Sequence, residues 1–149
     1  MPSCRQPGMT SVPPDLLDAY RRTEYRVADG SYAFVLRIDE PSDSLRTCHA
    51  AFGVDCSTFI TACNPRSAPT APDINEEAMR RLEQEVESRG FFVLRGIGVD
   101  PTGAWAGEPS LLVLGLDEES GRALAAEFGQ YAVVCASEDA TPRLAITGR

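Results

Sequence analysis

Polar and apolar residues alternate most regularly over residues 24–39, EYRVADGSYAFVLRID, where two runs flank Asp29-Gly30. That dipeptide supplies the positive φ angles of a type I′ turn. The segment therefore reads as a β-hairpin, with Tyr32, Phe34, Leu36 and Ile38 on one face of its second strand. Ahead of it, PPDLLDAYRRT (13–23) has Pro at a first helical turn and Leu16, Leu17 and Tyr20 on one side, the signature of a short helix. Behind it, PSDSLRTCHAAFG (41–53) offers Ser and Asp caps, about two helical turns, and Gly53 as a stop.

A second pattern begins at Ser57. STFITA is a strand, and NPRSAPTAPD (64–73) is a Pro-rich loop of the length that often carries function. DINEEAMRRLEQEVESRG (73–90) is the strongest helix, with an apolar stripe of Met79, Leu82 and Val86. Asp73 and Glu76 fit a capping box. Glu76–Arg80, Glu77–Arg81 and Glu85–Arg89 are i,i+4 pairs, and Gly90 ends the helix. FFVLRG is a strand, IGVDPTGAWAGEP (97–109) a long loop, and SLLVLGL a strand. DEESGRALAAEFG (117–129) is a helix capped by Asp117 and stopped at Gly129. QYAVVCA and RLAIT are the last strands, joined by the turn SEDATP.

From Ser57 to Ala136 the order is strand, helix, strand, strand, helix, strand. It predicts an α+β fold, a ferredoxin-like βαββαβ sandwich with two helices on one face of an antiparallel sheet. An N-terminal helix and β-hairpin extend it, and one extra C-terminal strand pairs with its neighbour. Residues 1–12, rich in Pro, Ser and Gly, read as a flexible tail, and 13–149 as one domain. A chain of 149 residues buries roughly 70% of its unfolded surface, so its core needs neither disulfide nor metal.

Charge narrows the partners. The formal net charge is −8 and every basic residue is Arg. An acidic surface repels phosphate backbones, so nucleic acid is not an expected partner, and a cationic or basic one fits better. Cys4, Cys48, Cys56, Cys63 and Cys135 are odd in number and form no CxxC pair. The first residues lack the apolar core of a signal peptide, and LLVLGL is too short to span a bilayer. These features predict free thiols in the cytoplasm, with no membrane contact.

LLDAYRRTEYRV, FITACNPRS, GVDPTGAWAGEPSLLVLGL and FGQYAVV together give the chain a resemblance to a bacterial family, the domain of unknown function 3293, from about Pro14 to Thr147. The resemblance singles out Thr61, Asn64, Pro65, Ser67, Trp105, Glu108, Ser110 and Gln130. The family usually has Trp at the position of Cys63 and Asn at that of Tyr131. It carries no established activity, so it implies a fold and a set of residues but no mechanism.

The predicted topology gives those residues a place. The first core strand runs antiparallel to both neighbours, so its C-terminal end lies beside the N-terminal ends of the other two. Asn64, Glu108, Ser110 and Gln130 then converge at one sheet edge. Their donors and acceptors suit a small polar ligand, with Thr61 and Ser67 as further contacts and Trp105 as an apolar lid. Three readings stay open: turns and caps alone, a ligand or partner site, or an enzyme with Glu108 as general acid or base. An acidic interaction protein without a pocket is a further alternative.

Other chemistries fit poorly. Ser67 and Ser110 lack a His partner in sequence, since the single His49 lies in another segment, which disfavours a Ser-His-Asp arrangement. The spacing of Cys48, His49, Cys56 and Cys63 matches no zinc signature, and no cofactor motif is present. RGFFVLRG echoes an RNA-binding consensus, but Gly90 serves as a helix stop and Phe92 occupies a small-residue position. GIGVDPTG has neither dinucleotide nor P-loop spacing, and no helix follows it. A lone Cys63 nucleophile is disfavoured against a buried or half-buried thiol.

Overall fold

The computed structural model describes residues 12–103 and 105–147. Helix α1 (Pro14–Arg22) leads into the hairpin of β1 (Glu24–Asp29) and β2 (Tyr32–Leu36), then α2 (Asp43–Phe52) and β3 (Ser57–Ile60). A 3-10 turn (Pro65–Ser67) precedes α3 (Pro72–Ser88), β4 (Phe92–Val99), β5 (Glu108–Leu114), α4 (Glu118–Glu127), β6 (Ala132–Ala136) and β7 (Arg143–Ile146). The fold is α+β. Its seven strands form one sheet in the order β2-β1-β4-β5-β3-β6-β7, every neighbouring pair antiparallel. The hairpin extends the sheet through β1–β4 pairing and β7 extends it through β6, as the pattern predicts.

Strand alternation divides the core between two faces. On one, Ile60, Leu111, Val113, Val133 and Cys135 pack with Leu82 and Val86 of α3 and Leu124 and Ala125 of α4. On the other, Phe59, Leu94, Leu112, Leu114 and Val134 pack with Leu45 and Cys48 of α2 and with Tyr25, Val27 and Leu36 of the hairpin. Leu45, Leu82, Val86 and Val113 are fully buried, each worth about 1.5–3 kcal/mol of transfer free energy. Gly121 lets α4 approach β3, because a Cβ there would lie 2.8 Å from Thr58 Oγ1. Ser42 caps α2 by accepting from the Leu45 amide, and Asp117 caps α4 by accepting from that of Ser120.

Several expectations require correction. The hairpin loop is Gly30-Ser31, with Asp29 paired to Tyr32, and positive φ falls on Gly30 alone; type I′ needs it at both central residues. Helix α3 starts on Pro72 with Ala71 as a non-bonding N-cap, so Asp73 and Glu76 form no capping box. Asp73 instead accepts from its neighbour Ile74. Of the i,i+4 pairs, Glu85–Arg89 forms; Arg80 pairs with Glu77, and Arg81 lies over the Phe128 ring at 5.4 Å. Strand β4 continues through Ile97, Gly98 and Val99, taking the first part of the expected 97–109 loop. The expected tail lies outside the described residues apart from Val12. Among the described residues, no helix is long and apolar enough to cross a membrane.

Candidate functional site

Where β3 ends and β5 and β6 begin, the sheet opens into a cleft of about 1150 Å³. Thr61, Asn64, Ser67, Trp105, Glu108, Ser110 and Gln130 all line it. Helix α1 supplies Leu16, Ala19 and Tyr20 to one wall, and α3 supplies Asn75 and Met79 to another.

The floor follows from strand register. Tyr25, Gly98 and Glu108 form one row across β1, β4 and β5, and Val27, Gly96 and Ser110 form the next. Each row has glycine between two larger residues on the same face. At Gly96 the space is filled: a Cβ would meet the Arg26 carbonyl at 2.4 Å and the Phe59 ring at 2.9 Å. At Gly98 it is open, since a Cβ would meet only Thr23 Cγ2 at 3.7 Å. The Tyr25 ring stands edge-on to Phe59 with centroids 5.4 Å apart, and its hydroxyl donates to the Tyr20 carbonyl at 2.6 Å. Most of the lining is therefore carbon.

The polar end is organised by Asn64, which follows β3 in the left-handed region at φ 48° and ψ 62°. Arg66 and Ser67 also have positive φ, so FITACNPRS ends in a tightly folded loop. Asn64 holds it by three routes. Its amide donates to Asn75 Oδ1 at 2.9 Å, its Oδ1 accepts from Thr70 N and Asn75 Nδ2, and its Nδ2 donates to Glu108 Oε2 at 2.8 Å. The loop is also tied to the end of α4, where the Arg66 amide donates to the Gly129 carbonyl at 2.7 Å.

Three of the predicted residues use their polar atoms to join main chains. Thr61 Oγ1 donates to the Pro109 carbonyl and accepts from the Cys63 amide, linking the end of β3 to the start of β5. Ser110 Oγ donates to the Glu108 carbonyl, and Gln130 Nε2 to the Cys63 carbonyl. These side chains brace the backbone at the cleft's polar end. Ser67 is exposed, 3.4 Å from the Tyr20 hydroxyl, and Trp105 is half-buried on the cleft wall.

Glu108 is different. Among the described residues its carboxylate accepts only from Asn64 through Oε2, and no Arg or His forms an ion pair with it. Burial pushes its carboxyl above the usual 4.5, and the Asn64 hydrogen bond offsets only part of this. Burial likewise raises the Tyr20, Tyr25 and Cys63 acids, and the Glu108 charge adds to each. Cys63 is buried with its thiol 3.7 Å from the Pro109 carbonyl, the environment of an unreactive thiol. His49 Nε2 lies 2.8 Å from Ser57 Oγ between α2 and β3, buried and outside the cleft lining. Among the described residues no group of three or more His, Cys, Asp or Glu could hold a metal ion.

Sequence reasoning missed Tyr20, Tyr25, Asn75, Gly96 and Gly98. The two glycines left a readable signal, because Gly-x-Gly inside a strand clears one face of it. Local pattern alone places Gly96 at a strand end and Gly98 in the following loop.

Neither the curated proteins nor the solved structures yield a match to this chain. Residues 60–133, which run from the last residue of β3 into β6 and include all seven predicted positions, match the model described as protein of unknown function (DUF3293). The chain belongs to that family.

Proposed function

We propose that the protein is a small-molecule-binding module whose site is the cleft around Glu108, carried on a ferredoxin-like βαββαβ core of β3, α3, β4, β5, α4 and β6. The central order β4-β5-β3-β6, with α3 and α4 packed on the same face, supports that description of the core. One observation carries the functional reading. Glu108 is held by Asn64 at 2.8 Å in a mostly apolar cleft, with its second oxygen accepting no hydrogen bond from a described residue. An apolar cavity with few oriented polar groups is the usual form of a small-molecule site.

The ligand contacts assigned to this end are Glu108, Ser67, Tyr20 and Trp105. Asn64, Thr61, Ser110 and Gln130 position them. A thermal-shift screen against a metabolite library tests the assignment, with Gly98→Val as a blocked-cleft control. A hit that stabilises the wild type and is lost in both Glu108→Gln and Gly98→Val supports the site. Hits unaffected by either substitution place binding elsewhere.

A second reading makes the same carboxyl a general acid–base, favoured by its burial and raised pKa. It predicts that Glu108→Gln abolishes turnover of a bound compound while leaving its affinity nearly unchanged.

A further inference from the structure

We propose that the cleft takes an organic cation, a primary ammonium seated on Glu108 and carried by an apolar body lying against Tyr25, Phe59 and Trp105. The inference rests on the cleft being the small-molecule site proposed above.

The first support is the incomplete electrostatics of Glu108. Its Oε2 is fixed by a neutral amide donor, and among the described residues no cation pairs with either oxygen. A partly buried carboxylate loses hydration, and a charged donor compensates for that more fully than a neutral one. The groups facing it do not supply the charge. Tyr20 on α1, Tyr25 on β1 and Cys63 on the loop after β3 have raised pKa values and stay neutral where Glu108 ionises.

The rest of the cleft has the same sign. Asp15 on α1 and Glu76 and Glu83 on α3 line its walls; Arg80 is the only cation among the described lining residues, and Glu77 holds it. Glu83 is paired with Arg95. An anionic ligand would meet Glu108 at the polar end without a counter-charge.

The second support is aromatic. Tyr20, Tyr25, Phe59 and Trp105 line the same cleft, the two tyrosines near enough to Glu108 to feel its charge, and ring faces attract ammonium groups through their quadrupoles. Carboxylate and aromatic faces together favour an amine over a neutral alcohol of the same shape. The volume of about 1150 Å³ accommodates a single-ring amine with room to spare.

The test uses the full ¹⁵N-labelled chain and three probes of matched shape: phenethylammonium, 2-phenylethanol and phenylacetate. The indole N–H signal of Trp105, the single tryptophan, reports occupancy. Phenethylammonium is expected to shift that signal saturably, with affinity falling roughly tenfold or more in Glu108→Gln, the loss of one charge-assisted contact. The same affinity should fall as the pH is lowered through the Glu108 titration in the wild type. That pH dependence should be absent from Glu108→Gln, which separates Glu108 from Asp15, Glu76 and Glu83. Phenylacetate should leave the signal unmoved.

Phenylacetate or phenylethanol binding as tightly as the ammonium, and lost in Gly98→Val, would overturn the cationic class while leaving the cleft as a binding site. No response to any of the three would overturn the class and the site together.

Discussion

Glu108 and Asn64 make unequal contributions, and substitution separates them. The folded-state pKa of Glu108 lies above its unfolded value, so folding binds its proton more tightly. The stability this group contributes is full below about 4.5 and is lost as pH rises through the folded pKa. Glu108→Gln keeps an acceptor for Asn64 and removes the titration. Its melting temperature should therefore exceed that of the wild type at neutral pH, with the gap closing as pH falls through the folded pKa toward 4.5. A constant gap across that range would mean that Glu108 is not destabilised by burial. Asn64→Ala removes three side-chain hydrogen bonds and puts a less tolerant residue at φ 48°. Urea denaturation should show a loss of about 2–4 kcal/mol, whether or not a ligand binds. The convergence of this pair was legible in FITACNPRS and GEPS. The division of labour was not, because which atoms of Asn64 already have partners depends on Thr70 and Asn75, residues that the sequence presents only as loop and helix start.

At the level of elements, packing distance orders three glycines. Gly96→Ala forces a Cβ against backbone and an aromatic ring, Gly121→Ala against the Thr58 side chain, and Gly98→Ala only into ordinary contact. Overpacking costs about 1–3 kcal/mol where neighbours can give and more where they cannot. Urea midpoints should therefore fall most for Gly96→Ala, less for Gly121→Ala, and hardly at all for Gly98→Ala. A fall for Gly98→Ala as large as that for Gly96→Ala would contradict the open floor between Tyr25 and Glu108. Most elements were legible because alternation and caps are local. Ser42, Asp117, Gly53 and the Met79–Leu82–Val86 stripe act where the sequence predicts. The errors arose where tertiary contacts override local signals: β4 runs on through two glycines because β1 and β5 pair with it on both sides, and Pro72 takes the helix start from Asp73.

Across the whole molecule, α1 forms one wall of the cleft and is tied to the end of the sheet. Arg22 of α1 donates to Asp100 at 3.3 Å, just beyond β4, and Thr102 donates to the same carboxylate through backbone and side chain. Burial opposes ionisation of Asp100, but these donors outweigh it and hold its pKa down at about 2. The resulting stability is full above 3.8 and is lost as pH falls through about 2. Asp100→Asn should lower the melting temperature at neutral pH, with the difference shrinking toward pH 2, and should raise hydrogen exchange in α1. Unchanged exchange there would remove Arg22–Asp100 as the tie. This clasp joins residues 78 positions apart, and VDPTG read alone is a turn. Native mass spectrometry of the purified protein beside Glu108→Gln and Gly98→Val tests the site most directly. A discrete extra mass on the wild type, absent from both folded variants, is the predicted result; the same extra mass on all three would contradict a ligand site at Glu108.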